Sequence, residues 1–226
     1  MKLKVLSSGS KGNSYILEND KEALLIEAGV PFKEVLRHVN HRKIVGCLVS
    51  HEHQDHSKYL TQYINYGITY IENNSMYNKP EKIGSFIIKS FKNHHDVTCF
   101  GYHIYHPDMG ILVFSTDTNY ISYRLKDVNH WLIECNHSKE ILNKSVKEGF
   151  SPVLADRIFS THMSLDTCKE FLKANDLSKT RNIVLLHLSD SNSNEEQFQR
   201  EIHELTKKTT YIADKGLEID ISLFPF

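Results

Sequence analysis

Short apolar runs alternate with helical stripes along this chain. Leu3–Leu6, Tyr15–Leu17 and Ala23–Ile26 read as strands, and Gly9, Gly12 and the polar residues between them supply the turn joining the first two. Pro31 opens a predicted helix to about His38, because Phe32, Val35, Leu36 and Val39 fall on one stripe. Ile44–Val49 is a continuous apolar run, the pattern of a strand covered on both faces. It delivers the chain to Ser50 and His51. Lys58–Tyr66 has helical spacing through Leu60, Tyr63 and Ile64. Phe86–Phe91 and Phe100–Tyr105 are strands flanking a turn at His94-His95-Asp96.

Further on, strand-then-helix units repeat. Ile111–Ser115 leads into Thr116-Asp117-Thr118. Trp131–Cys135 leads into Asn136-His137 and a helix near Lys139–Lys147. Ile183–Leu186 leads into His187 and a helix near Glu195–Lys207. In four places a β-branched or aromatic run stops at a His or an Asp. Open α/β architectures build sites where strands end and loops converge, so the pattern predicts an α/β sandwich with a site at one edge.

Composition narrows the class. At 226 residues, without a repeat or a Pro/Gly-rich linker, residues 1–226 read as a single domain. No apolar run approaches the ~18–20 residues that span a bilayer, and Met1–Val5 reads as a first strand rather than a secretion signal. No membrane association is expected. Cys47, Cys99, Cys135 and Cys168 are scattered without a Cys-x-x-Cys pair, which fits a reducing cytoplasm. The 27 basic and 28 acidic residues give a net charge of −1 and no global pull toward nucleic acid. Histidine is the abundant residue, at 14.

Four of the metal-ligand candidates sit in His51-Glu52-His53-Gln54-Asp55-His56. In extended backbone, His51 and His53 leave the same face. Asp55 and His56 follow in a tightening loop and can turn to a second site. Imidazole with carboxylate suits zinc, or manganese where carboxylates are more numerous, and paired cations stand about 3.5–4 Å apart. The bland alternative is a polar loop that caps a helix. Further ligands must come from later strand ends, where His95, Asp117 and His187 stand. Each alone is weak: a lone His after a strand is commonly a solvated turn residue, and Asp117 could cap a helix.

Here the sequence resembles the metallo-β-lactamase superfamily, and within it the YycJ/WalJ-type branch of nuclease-like hydrolases. The matching stretches run in order from Leu6–Ser14 and Leu25–Gly29 through His51–His56 and His95-Asp96. Ser115–Thr118, Ile133–His137, Thr161–Ser164 and Leu186–Ser189 follow. The resemblance implies a four-layer αββα sandwich with two divalent ions per chain, Zn2+ first and Mn2+ second, at one edge. It implies His51, His53 and His95 on one ion, Asp55, His56 and His187 on the other, and Asp117 between them. Asp55, Glu134 and His162 are the implied catalytic residues, with His162 as a proton donor held by Glu134. The implied activity is phosphodiester hydrolysis by a metal-bridging hydroxide, exonuclease-like, on DNA or RNA.

Two features depart from the family pattern. Glu27 stands where an Asp usually braces the metal loop, and Glu is one methylene longer. Only 69 residues lie between Asp117 and His187, which leaves no room for an inserted RNA-clamping domain. Cyclic-nucleotide or other small-diester hydrolysis is therefore the alternative, with lactonase or thioesterase chemistry behind it. A metal-binding interaction protein without catalysis is the reading from another class. Ser10, Asn13 and His137 are candidate substrate contacts, against the simpler reading of a turn and a helix start. A homodimer is the assembly left open.

Overall fold

A computed structural model describes residues 1–224. The first unit comprises β1 (Lys2–Ser7), β2 (Ser14–Glu18), β3 (Ala23–Ile26), helix α1 (Phe32–Val35) and β4 (Ile44–Leu48). Two short helices, α2 (Gln54–Ser57) and α3 (Leu60–Asn65), and then α4 (Asn73–Asn78), lead to the second sheet. Its strands are β5 (Glu81–Ile83), β6 (Phe86–Lys92), β7 (Phe100–His106), β8 (Gly110–Ser115) and β9 (His130–Glu134). Helices α5 (Lys139–Lys147), α6 (Pro152–Thr161) and α7 (Leu165–Ala174) precede β10 (Asn182–Leu186), α8 (Glu195–Thr206), β11 (Thr209–Ile212) and β12 (Glu218–Asp220).

The strands form a five-stranded sheet, β12-β1-β2-β3-β4, and a seven-stranded sheet, β11-β10-β9-β8-β7-β6-β5. Strands β8 to β11 run parallel, the arrangement that helical crossovers require. The apolar inner faces meet between the sheets, where Leu3, Tyr15, Leu24 and Leu48 pack with Ile88, Tyr102, Phe114 and Val184. Outside the smaller sheet, Phe32, Val35 and Tyr63 cover Ile16, Leu25 and Cys47. Outside the larger, Leu165, Phe171, Leu172, Phe198 and Ile202 cover Val113, Trp131, Ile133 and Ile183. The result is helix, sheet, sheet, helix: the expected αββα sandwich.

Most predicted strands fall within a residue or two of the observed ones. The helices differ more. The expected Pro31–His38 helix is four residues long and dissolves into turns, with Asn40 capping a 3-10 turn at His41–Lys43. The expected Lys58–Tyr66 helix is shortened to Leu60–Asn65, and a separate helical turn begins at Gln54, inside the motif expected to be a tightening loop. Ser57 contributes to that turn, its hydroxyl bonding the Glu52 and His53 carbonyls.

Candidate metal centre

Strand β4 ends at Leu48, and Val49-Ser50 carry the chain to His51. Backbone contacts stitch the following loop to the β1–β2 turn and to the stretch after β3: the Asn13 amide donates to Asp55 O at 2.7 Å, and Ala28 to His56 O at 2.7 Å. The approach is close enough that a Cβ on Gly29 would stand 1.9 Å from Asp55 O, so only glycine fits. Across the cleft, β6, β8, β9 and β10 deliver His95, Asp117, Glu134 and His187.

Glu27, directly after β3 (φ 69°), Asp117 (φ 49°) and His187 (φ 54°) take left-handed backbone. Each such non-glycine position costs of order 1–3 kcal/mol and tends to mark functional sites. No helix follows Asp117 within residues 118–129, so the capping alternative fails.

Ligand atoms of His51, His53 and His95 lie within 4.8 Å of one another, and so do those of Asp55, His56 and His187. His51, His56 and Asp117 form a third such group that joins the two. Asp117, Glu134, His162 and His187 form a fourth group, so the donors make one continuous cluster. His95 Nε2 is 3.3 Å from His53 Nδ1, and His56 Nε2 is 3.2 Å from Asp55 Oδ2 and 3.1 Å from Asp117 Oδ2.

The far nitrogens are anchored from behind. Ser50 Oγ meets His51 Nδ1 at 2.9 Å, and His95 Nδ1 donates to Thr161 O at 3.1 Å. His187 Nδ1 lies 3.4 Å from Glu134 Oε1. Such outer contacts fix the tautomer and aim the free nitrogen. His51 Nε2 is buried without a hydrogen-bond partner. A buried ring nitrogen left open in a ring of carboxylates and imidazoles is the signature of a cation site, because burial without a partner is otherwise costly. The donor set fits divalent metal.

Among themselves these groups shift one another strongly. Burial, with His56 adding to it, pulls His51 down to about 2, so it stays neutral and able to ligate. Burial also opposes charge on His187, but Asp117, Asp55 and Glu134 outweigh it and raise the ring to about 10. Asp117 is held well below the carboxylate range: burial works against this, and His187 and His56 overcome it. The carboxylates thus favour positive charge on His187, while burial keeps His51 neutral.

Glu134 is fully buried and accepts the Thr118 and Met163 amides at 2.8 and 3.2 Å. Its other oxygen meets His162 Nδ1 at 2.6 Å. His162 closes α6 rather than opening a helix; the next N-cap is Ser164. Burial disfavours a charged His162, but Glu134 prevails and raises its pKa. His162 and His187 rings stack with centroids 5.3 Å apart. Glu27 sits behind the ligand loop, 3.3 Å from both the Ser50 amide and His56 Nδ1.

A cavity of 290 Å³ joins these parts, lined by His53, Asp55, His95, Asp117, His162 and His187 on one side. Ser10 is at its edge. Asn13 is not: its amide nitrogen lies 3.3 Å from Asp55 Oδ2 and 3.0 Å from His56 Nε2, so it braces ligands from within. His137 is buried against Phe159 with both ring nitrogens unpartnered, away from the cavity lining. The opposite wall was missed in the sequence: Phe150, Leu154, Arg157 and Ile158, on and beside α6, with Arg157 bonded to Asp96 at 3.2 Å. Ser151-Pro152, an N-cap followed by proline at the first helical position, was the available signal.

Comparison with known proteins agrees with this geometry. No protein-family model matches the chain. It is 29% identical to exodeoxyribonuclease WalJ of Streptococcus pneumoniae, over 99% of this chain and 93% of that one. It is 26% identical to exodeoxyribonuclease YycJ of Bacillus anthracis, over 95% and 92%. Among solved structures, the metallo-β-lactamase fold protein YhfI of Bacillus subtilis superposes with a TM-score of 0.74 at 17% identity, covering 96% of this chain and 98% of that one. The fold is therefore that of metallo-β-lactamase-fold proteins, and over nearly its whole length the chain is similar to the exodeoxyribonucleases WalJ and YycJ, which supports a metal-dependent hydrolase.

Proposed function

We propose that the protein is a binuclear phosphodiesterase that removes nucleotides from the end of a nucleic-acid strand. The observation that carries this reading is the 2.6 Å contact between Glu134 and His162 at the rim of the cavity that holds the ligand candidates. A phosphodiester releases a poor alkoxide, which needs a proton as it departs. Lactones and thioesters need that donor less.

His51, His53 and His95 would hold one cation, Asp55, His56 and His187 the second, with Asp117 shared. Bound there, divalent ions supply Lewis-acid polarisation of the phosphate and a water ionised near neutral pH. The imidazole-rich set favours Zn2+, with Mn2+ served by the carboxylates. Glu134 accepts from His162 Nδ1 and fixes that tautomer, so Nε2 carries the transferable proton. The Glu134 carboxylate raises the His162 pKa and so favours the protonated ring, whose Nε2 proton is the one free to transfer. Asp55 orients His56 and His187 as well as ligating.

The similar proteins of Streptococcus pneumoniae and Bacillus anthracis are both named exodeoxyribonucleases, which supports an exonuclease acting on DNA. The small cavity favours a second reading, hydrolysis of cyclic or other small diesters, since 290 Å³ is near the lower end for ligand sites of about 300–1,000 Å³. Residues 1–226 would act as one catalytic domain without an RNA clamp. Among the described residues no helix is long and apolar enough to cross a membrane, and the four cysteines are buried and unpaired, which supports work in a reducing cytoplasm.

Purified protein given Mn2+ or Zn2+ is expected to hydrolyse bis(p-nitrophenyl) phosphate and to release mononucleotides from single-stranded DNA. Turnover of lactones or thioesters with the diester untouched would defeat the proposal. Faster opening of cyclic mononucleotides than of DNA or RNA would select the second reading.

A further inference from the structure

The cleft accounts for one phosphodiester and leaves out the surface leading to it. Residues 116–129, between β8 and β9, run without helix or strand. Connections of this length are uncommon unless they serve a function. This one is pinned: Asn119 donates to His94 O at 3.1 Å, and Leu125 donates to the Asn175 side chain at 2.8 Å.

It carries a group of exposed aromatic rings. Tyr120 lies flat on His94, with centroids 3.9 Å apart and planes 13° from parallel. Tyr123 packs edge-on against Phe91 at 5.5 Å and bonds the Tyr77 side chain. Lys92 Nζ is 5.5 Å from the Tyr77 ring centroid. Tyr77, Tyr120 and Tyr123 remain 39, 45 and 38% exposed, and Lys92 and Arg124 are exposed beside them. Glu170 is the acidic neighbour of this stretch, in the hollow between Tyr120–Arg124 and α7. Clustered exposed rings at a site's margin mark binding surfaces more often than scattered ones. The strip joins the metal centre twice: His94 precedes His95, and Tyr120 follows Asp117 by three residues, at most ~11 Å of chain.

We propose that this strip is a stacking track for single-stranded nucleic acid, in which Tyr120 on His94, and Tyr123 with Tyr77 and Lys92, hold the bases of the strand whose end lies in the cleft. The proposal rests on the phosphodiesterase reading of the centre. Rings interleaved with cations hold unpaired strands, because every base offers a π-face and every linkage a negative charge. A duplex hides its base faces in its own stack and gives such rings little to bind.

Binding and turnover test it separately. A fluorescein-labelled, cleavage-resistant phosphorothioate oligo(dT), its oligo(U) counterpart and a matching duplex are titrated with the full chain. Tyr120→Ala and Tyr123→Ala should each weaken single-strand binding about fivefold or more, the equivalent of about 1 kcal/mol per lost stack. Tyr120→Phe and Tyr123→Phe, which keep the ring, should stay within about twofold. In turnover, the ratio of oligonucleotide to bis(p-nitrophenyl) phosphate hydrolysis should fall with the alanine variants. DNA and RNA strands should respond alike. Wild-type affinity in both alanine variants, equal losses in the phenylalanine variants, or tighter binding of the duplex would each overturn the track. If neither substrate turns over, the phosphodiesterase reading fails, while the binding measurements still judge the strip.

Discussion

Two of the histidine–glutamate pairings stand at opposite edges of the molecule, His106 with Glu22 and His162 with Glu134, and only the second resembles catalytic machinery. At the edge remote from the ligand loop, His106 Nε2 lies 3.2 Å from Glu22 Oε1. There every remaining position is spoken for: His106 Nδ1 accepts the Asp108 amide at 3.1 Å, and Glu22 accepts the Ser85 amide at 2.9 Å. At the metal edge, His162 has one nitrogen on Glu134 and lines the cavity with the rest of its ring. The hollow beside His106 is the larger, at 560 against 290 Å³, but Lys4 and Lys43 in its wall are both paired with Glu18. Unspent donor capacity, rather than volume, separates a site from a structural knot.

The sharpest way to break this comparison is Asp117→Ala. It should lower metal content in elemental analysis and cut diester hydrolysis by about 10³-fold or more, the scale expected for losing electrostatic stabilisation at the reacting centre. Full metal retention would remove Asp117 from the shared position. Next is His162→Ala, expected to keep the metal and slow turnover about 10²–10⁴-fold, the range for general acids. Glu134→Gln should act in the same direction and also move the pH profile. Glu134 raises the His162 pKa, and the protonated ring is the acid, so rate falls as pH rises through that pKa. Without the carboxylate the alkaline limb should shift to lower pH; an unmoved limb would uncouple the pair.

The remote pairing should answer differently. His106→Gln is expected to destabilise the fold by about 1–3 kcal/mol, read in thermal melts, with diester turnover per folded molecule unchanged. A catalytic loss as large as that of His162→Ala would erase the distinction. The smallest effect concerns acid. Burial holds His130 down to about 4 in the fold, against 6.5 for the free ring. Its contribution is complete above pH 6.5 and drains away as pH falls toward 4, because the unfolded chain protonates first. His130→Gln should flatten that limb by up to about 1.4 kcal/mol per pH unit. An unchanged acid slope would mean the ring is not held neutral.

Much of the sandwich could be read from the chain because strands covered on both faces leave unbroken apolar runs, as Ile44–Val49 and Ile183–Leu186 do. Their polar ends exposed the ligand candidates. Asn13 and His137 stand apart from the cavity lining, which a turn-like context does not reveal: one lies behind Asp55 and the other against Phe159. The α6 wall was missed because Phe150, Leu154 and Ile158 look like an ordinary core stripe until the cleft shows what they face. Serine 50 and the Thr161 carbonyl act through single contacts on ring nitrogens, which no spacing rule encodes.

The left-handed backbone at Glu27, Asp117 and His187 carries a lesson for anyone transplanting this centre. Copying His51–His56 into another scaffold would bring four donors and none of the torsions that swing the remaining ligands into range. Those torsions belong to chain exits at the ends of three separate strands, so the smallest portable unit is the sheet edge itself.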